Sequence, residues 1–368
     1  MKKQLIAIVL GSVFILSSNN AFSYLKTNVK ENQKPTKQKD ASQVRSANCS
    51  PATGKITMSF NDVSAFLETG GSMWQDRGNG VAAYEIPKGS GLKVIYAGAL
   101  WMGGTDVNGQ LKIAALTFRS DEDFWAGPLS VGSNNGSTGL GIGTYNPSDP
   151  VGDDAIRDFG SATIDQDQCE AYDKFYTVRK SEIIQFSTWW DCGAGVLPPE
   201  SCTDVSAPSS EIMNRLYSWP AHGDASRYQD YFLAPFYDNP NGPAGADLSY
   251  NVEDGDYPWY DDILGKDDVE CGFDRRITLF GDETHWWVFN DVGNIHGETN
   301  GEPIGMEIRA QAFSFATNDE VNRMTFYNYE LINRGTQTLF DTYFSQYIDA
   351  DVGYFSDDFA GCDVSRGL

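Results

Sequence analysis

The sequence predicts an all-β fold, mostly antiparallel and sandwich-like, with a few short helices and long loops rich in Gly and Asp. Glycine is abundant, at 37 of 368 residues, and aromatic residues make up 13% of the chain. Apolar patterns with the 3.6-residue period of a long helix are scarce. What recurs is short apolar or aromatic runs between Gly, Asn, Asp and Pro, the pattern of closely spaced strands joined by turns.

The runs Gly91–Ala97, Leu111–Phe118 and Met306–Phe315 read as strands, the last with Met306, Ile308, Ala310 and Ala312 along one side. Met324–Ile332 and Asp341–Ile348 read as two more strands, with Asn333, Arg334 and Gly335 in a connection that suits a hairpin. Lys180–Phe186 and Ser209–Tyr217 break the pattern and read as short helices, each opened by a Ser near a Glu. A loop rich in Gly, Pro and Cys lies between these helices, and the stretch from Gly127 to about Asp165 reads as a long surface loop. No repeat of fixed period is present, so a solenoid or propeller is disfavoured.

Residues 1–23 have the order of a secretory signal peptide: Lys2 and Lys3, an apolar run from Leu5 to Leu16, then Ala21-Phe22-Ser23 as a small-x-small cleavage site. The apolar run falls short of the roughly 20 residues that span a bilayer. No membrane span is therefore expected once the signal is removed. Residues 24–48 are polar and basic, with Lys26, Lys30, Lys34, Lys37, Lys39 and Arg45. That composition cannot bury enough surface to offset ordering entropy, and it reads as a flexible leader. The remainder divides into a first β unit over 49–127, a loop and short-helix insertion over 128–218, and a second β unit with acidic loops over 219–368. The two β units are open to sharing one core.

The formal net charge of −24 disfavours nucleic acid and anionic lipid as partners. Six cysteines in an exported chain permit disulfides, with 15 connectivities, and Cys192–Cys202 is the expected bridge. No C-x-x-C pair or His spacing supports zinc.

The sharpest chemical feature is an acidic segment carrying Asp349, Asp351, Asp357, Asp358 and Asp363. Crowded carboxylates on a loop with two glycines suit calcium, which takes about six to eight oxygen ligands. A second acidic tract, from Asp238 to Glu270, has the outline of an EF-hand loop, but Pro240 stands where the second ligand belongs. A looser calcium loop there stays open. No nucleophile–base motif is present. Trp189, Trp190, Trp286 and Trp287 form a candidate platform for stacking sugars. Adjacent residues on a strand point to opposite faces, so at most one of each pair would serve one site.

Several phrases occur in a fixed order: Gly98-Ala-Leu-Trp-Met-Gly-Gly-Thr-Asp-Val-Asn-Gly-Gln-Leu111, Asp123-Phe-Trp-Ala-Gly-Pro-Leu129, Tyr172-Asp-Lys-Phe-Tyr-Thr-Val-Arg179, Trp219-Pro-Ala-His-Gly223, Leu233-Ala-Pro-Phe236, Gly255-Asp-Tyr-Pro258, Trp286-Trp-Val-Phe-Asn-Asp291 and on to His296, Asn333-Arg334, and Gly361-Cys-Asp363. From about Met73 onward the chain resembles the N-terminal region of large exported Bacteroidota proteins, commonly cargo of the type IX secretion system. The resemblance implies display on the outer surface or release from it, and engagement of the type IX machinery by the full-length protein. It supplies no catalytic residue. Such relatives continue past the acidic segment into more strands, so the chain is expected to be the front of a longer protein.

The functional expectation is a non-catalytic secreted or cell-surface module, calcium-stabilised, in adhesion or surface display, with a surface glycan or a protein as partner. The alternative is a secreted hydrolase or carbohydrate-binding enzyme module.

Overall fold

The computed structural model describes residues 47–119, 121–131, 162–260, 278–353 and 356–358, with 361 and 365, all within the unit Ser46–Leu368. The signal, the leader up to Ser46, most of the 127–165 loop, the end of the second acidic tract, Cys271, Cys362 and Asp363 lie outside the described residues.

The strands, in chain order, are β1 (Lys55–Met58), β2 (Ser64–Glu68), β3 (Gln75–Asp76), β4 (Val81–Ala82), β5 (Tyr84–Glu85), β6 (Lys93–Thr105), β7 (Leu111–Ala114) and β8 (Trp125–Ala126). Then follow β9 (Tyr176–Arg179), β10 (Phe236–Tyr237), β11 (Tyr257–Pro258), β12 (Glu283–Asn290), β13 (Met306–Ser314), β14 (Phe326–Asn333) and β15 (Phe340–Ala350). Among the described residues three α-helices punctuate them: α1 (Gln166–Ala171), α2 (Lys180–Gly193) and α3 (Ser210–Tyr217). The expected all-β architecture with few short helices is therefore present, and the strand pairings are antiparallel.

One sheet runs β1-β2-β5-β6-β15, with β7 also on β6; the other runs β14-β13-β12-β8, with β9 on β12. Neither sheet belongs to one half of the sequence, since β15 joins the first and β8 the second. This corrects the expected hairpin of β14 with β15. Their connection carries the chain from one sheet to the other, and each strand finds an earlier partner, β13 and β6 respectively.

Period-2 alternation explains the layering. On β12, Trp287 and Phe289 enter a core that also holds Met306, Ile308, Ala310 and Ala312 of β13 and Leu67, Leu100 and Met102 of the first sheet. The intervening residues Trp286 and Val288 point the opposite way. They enter a second core with Ile183, Phe186, Leu216, Trp219, Phe236 and Tyr257. The second sheet is thus a middle layer, covered on one face by the first sheet and on the other by helices and loops. Every residue of β12 is buried in consequence.

The helices that cover the sheet differ in detail from expectation. Ser209 caps α3 by accepting from the Ile212 amide, as the Ser–Glu pattern predicted. The other helix runs on to Gly193, past the expected end at Phe186, and its N-terminus has no side-chain cap. Disulfides join Cys192 to Cys202, as expected, and Cys49 to Cys169.

Candidate functional site

The four tryptophans of the expected platform do not share a surface. Trp286 is 1% exposed and Trp287 0%, because both faces of β12 are covered; neither can present a ring to a sugar. Trp189 and Trp190 lie on α2, so strand alternation does not govern them. Trp189 is exposed. Trp190 packs against the second core and donates from Nε1 to the Glu253 carbonyl at 3.2 Å.

The expected calcium segment begins at the end of β15. Asp358 accepts from the Val352 amide at 3.1 Å, which folds the chain back beside Asp351. Asp351 Oδ1 is buried with no hydrogen-bond partner, and Asp349 accepts from Tyr347 Oη at 3.3 Å. Asp357 is exposed, and Asp363 lies outside the described residues. Among the described residues, no three His, Cys, Asp or Glu side chains stand close enough to hold a metal.

The described part of the second acidic tract spends its oxygens on its own backbone. Asp256 accepts from the amides of Asn239 and Asn251, both at 2.8 Å, and Asp247 accepts from the Ser249 amide and hydroxyl. These bonds close turns and caps. Burial raises the Asp256 carboxyl to about 6 despite them.

Two polar groupings emerge that sequence reasoning did not assemble. The first is interior. Glu307 and Arg309 alternate with the apolar residues of β13 and face the helix-and-loop layer. Arg309 bonds Glu307 (2.9 Å), the Phe232 carbonyl (2.9 Å) and Asp230 (2.7 Å). Arg334 bonds Asp230 (2.7 Å) and Glu307 (3.2 Å), and Glu307 also accepts from the Leu129 amide. Burial alone would raise both carboxyls, but the two guanidinium charges outweigh it and hold Asp230 and Glu307 below their usual range. With every oxygen engaged, this cluster binds layers together and leaves no oxygen for a ligand.

Other motif residues serve the interior in the same way. Asp291 accepts from the amides of Ile304, Gly305 and Met306. His296 faces the Ile113 carbonyl through Nδ1 at 2.8 Å and the Asp291 carbonyl through Nε2 at 2.6 Å. Asp123 stands 3.7 Å from His296 Nδ1.

The second grouping is open. A cleft of about 400 Å³ is lined by Ala52, Thr53, Lys55, Glu68, Arg77, Gly78 and Glu122. Arg77 Nη1 lies 2.7 Å from Glu122 and 3.8 Å from Glu68, while Lys55 is 3.2 Å from Glu68. Burial pushes Glu122 up to about 7 against the pull of Arg77, and its Oε2 is buried without a partner. Glu68 is raised as well, again by burial. A carboxyl protonated in part near neutrality can donate to a ligand oxygen or accept from a hydroxyl. The sequence carried no hint of this site, because its members come from four separated segments with no fixed spacing.

A raised carboxyl contributes its stability fully below its unfolded value and loses it as pH rises through the folded one. For Glu122 that window runs from 4.5 to about 7. Glu122→Gln removes the ionisation and keeps an acceptor for Arg77. Urea midpoints of this variant are expected to fall less than the parent's between about pH 5 and pH 8, leaving it ahead by on the order of 1–3 kcal/mol at the higher pH. Parallel pH profiles for the two proteins would contradict the assignment.

Comparison of the chain with protein-family models, with curated proteins and with solved structures found no match. Among the described residues, no helix is long and apolar enough to cross a membrane.

Proposed function

We propose that the chain is a non-catalytic secreted or cell-surface module of a type IX secretion cargo protein, stabilised by calcium and serving adhesion or surface display. The observation that carries this reading is the pair of disulfides, Cys49–Cys169 and Cys192–Cys202, because such bonds persist in oxidising compartments outside the cytosol. They agree with the signal pattern at residues 1–23. The engagement of buried charges by the backbone and by one another also supports a structural role.

Calcium is assigned to the segment after β15. The unpartnered Oδ1 of Asp351, with Asp358 folded beside it, supplies the hard oxygen donors that calcium takes. Asp349, Asp357 and Asp363 are the other residues of the set. Chelation of calcium from the purified protein is expected to lower Tm by several degrees, by simple linkage of binding to folding. An identical melt in excess chelator and in excess calcium removes calcium from the account.

A second reading, a secreted hydrolase or carbohydrate-binding module, is favoured by one observation, the cleft that sets Glu122 and Glu68 about one guanidinium. Glycan-array binding or turnover that is lost in Glu122→Gln would establish it. Absence of both leaves the structural reading in place.

A further inference from the structure

The segment just ahead of β1 is fastened to the rest of the unit at two points. At the first, Cys49 is bridged to Cys169 of α1, 120 positions later. The bridge lies in a small core with Trp125, and Cys49 is 1% exposed. The Cys49 amide donates to the Gly293 carbonyl at 3.0 Å, and its carbonyl accepts from Asn294 Nδ2 at 3.0 Å. At the second point, Asp173 accepts from the amides of Thr53 and Gly54, both at 2.8 Å, and from the hydroxyls of Thr53 and Thr69. Burial would raise the Asp173 carboxyl, but these donors outweigh it and hold it below its usual range. Gly54 passes so close that a Cβ there would stand 2.6 Å from the Asp173 carbonyl oxygen.

The same segment belongs to the cleft. Ala52 and Thr53 line it together with Glu68 and Glu122. Ala52 rests on Gly70, where an added Cβ would stand 3.1 Å from the Ala52 Cβ. The Glu122 side of the cleft is pinned independently of the bridge. Arg77 donates to the carbonyls of Arg119 (2.9 Å) and Asp121 (3.1 Å) and to Glu122 (2.7 Å). The side formed by Ala52 and Thr53 depends on the two fastenings alone. Of these, the Thr53 bonds to Asp173 face solvent, where water competes with them and the net gain is small. The buried bridge is the fastening that water cannot replace, and its long loop gives it the larger effect on chain freedom.

We propose that Cys49–Cys169 is a redox latch on the cleft: oxidised, it holds residues 49–54 against Glu68 and Glu122; reduced, it releases that segment and opens the cleft while both sheets stay folded. The latch closes by thiol–disulfide exchange. An oxidant of the disulfide class takes two electrons and two protons from the Cys49 and Cys169 thiols and leaves as a dithiol, and a dithiol reductant reverses the step. The cleft is thereby completed only in an oxidising compartment. This holds whatever the cleft binds.

The test compares the whole chain with Cys49→Ser/Cys169→Ser, which leaves Cys192–Cys202 in place. Amide hydrogen exchange follows the segment, and 13C NMR follows the Glu122 carboxyl, assigned with Glu122→Gln. Amides across 49–55 are expected to exchange at least about tenfold faster in the variant, with those of β12 and β13 unchanged. Glu122, faced by Arg77, Glu68 and Asp123, should titrate at about 7 in the parent and move toward the ordinary 4.5 in the variant. The parent in excess dithiol should match the variant across 49–55. Equal exchange of that segment in parent and variant overturns the proposal, as does a Glu122 that titrates alike in both. A variant that exchanges fast throughout β12 and β13, or does not fold, overturns it as well, because the bridge then holds the whole unit and not the cleft.

Discussion

Arg334→Ala is expected to lower the stability of the folded unit by on the order of 3–5 kcal/mol, a fall in Tm of about 10 °C. The reason is local. Arg334 bonds Asp230 and Glu307 at once, and removing it leaves Glu307, which has no exposed side-chain surface, with one cation for two carboxylates. Glu330, also beside Arg309 but at 3.7 Å and a third exposed, offers the contrast: Glu330→Ala should cost less than about 1 kcal/mol. The pH dependence has a definite sign. Asp230 and Glu307 are held low in the fold, so their stabilisation is complete above ordinary carboxyl values and is lost as pH falls through the lower folded ones. Arg334→Ala should therefore reduce the slope of acid denaturation as well as the neutral melt. If Arg334→Ala and Glu330→Ala melt together, the cluster does not bind the layers.

Trp287→Ala should be comparably severe, about 3–5 kcal/mol, because the ring is fully enclosed and its removal leaves a cavity among residues fixed by two sheets. Trp189→Ala, on the exposed side of α2, should stay within about 0.5 kcal/mol of the parent. Urea unfolding followed by far-UV circular dichroism separates them, and equal midpoints would contradict the layering. The pair also guards the sugar question, since loss of glycan binding in Trp287→Ala would report unfolding, whereas loss in Trp189→Ala would report a surface.

The fold class was legible because turn residues and short apolar runs are local features. The strands at Met306 and Met324 were found within two residues for the same reason. Partner choice was not legible. The short sequence distance from β14 to β15 suits a hairpin, but β15 pairs with β6, more than two hundred positions earlier. Nor could alternation alone reveal a middle layer. Glu307, Arg309 and Gln311 sit where a half-buried strand would face solvent, and segments distant in sequence cover them: Leu129 meets Glu307, the loop carrying Asp230 and Phe232 meets Arg309, and Thr278 meets Gln311.

The ordered phrases were legible as a pattern but not as a purpose. Asp123, Asp291, His296 and Arg334 turn out to hold backbone and buried charge inside the unit. These contacts account for the four residues structurally and give no reason to look for catalysis at them. The Asp349–Asp363 segment was conspicuous in the sequence, whereas the Glu68–Arg77–Glu122 cleft was silent. Acidic density is visible in one stretch; a cleft assembled from distant segments is not.

The central claim is that β12 and β13 form a middle layer locked by two cores, while β15, among the described residues, pairs along one side only. Native-state amide hydrogen exchange tests it most directly. The account predicts that amides of Glu283–Asn290 and Met306–Ser314 exchange only through global unfolding, at one shared free energy, while the unpaired amides of β15 exchange far faster. Exchange of β12 as fast as that of β15 would contradict it.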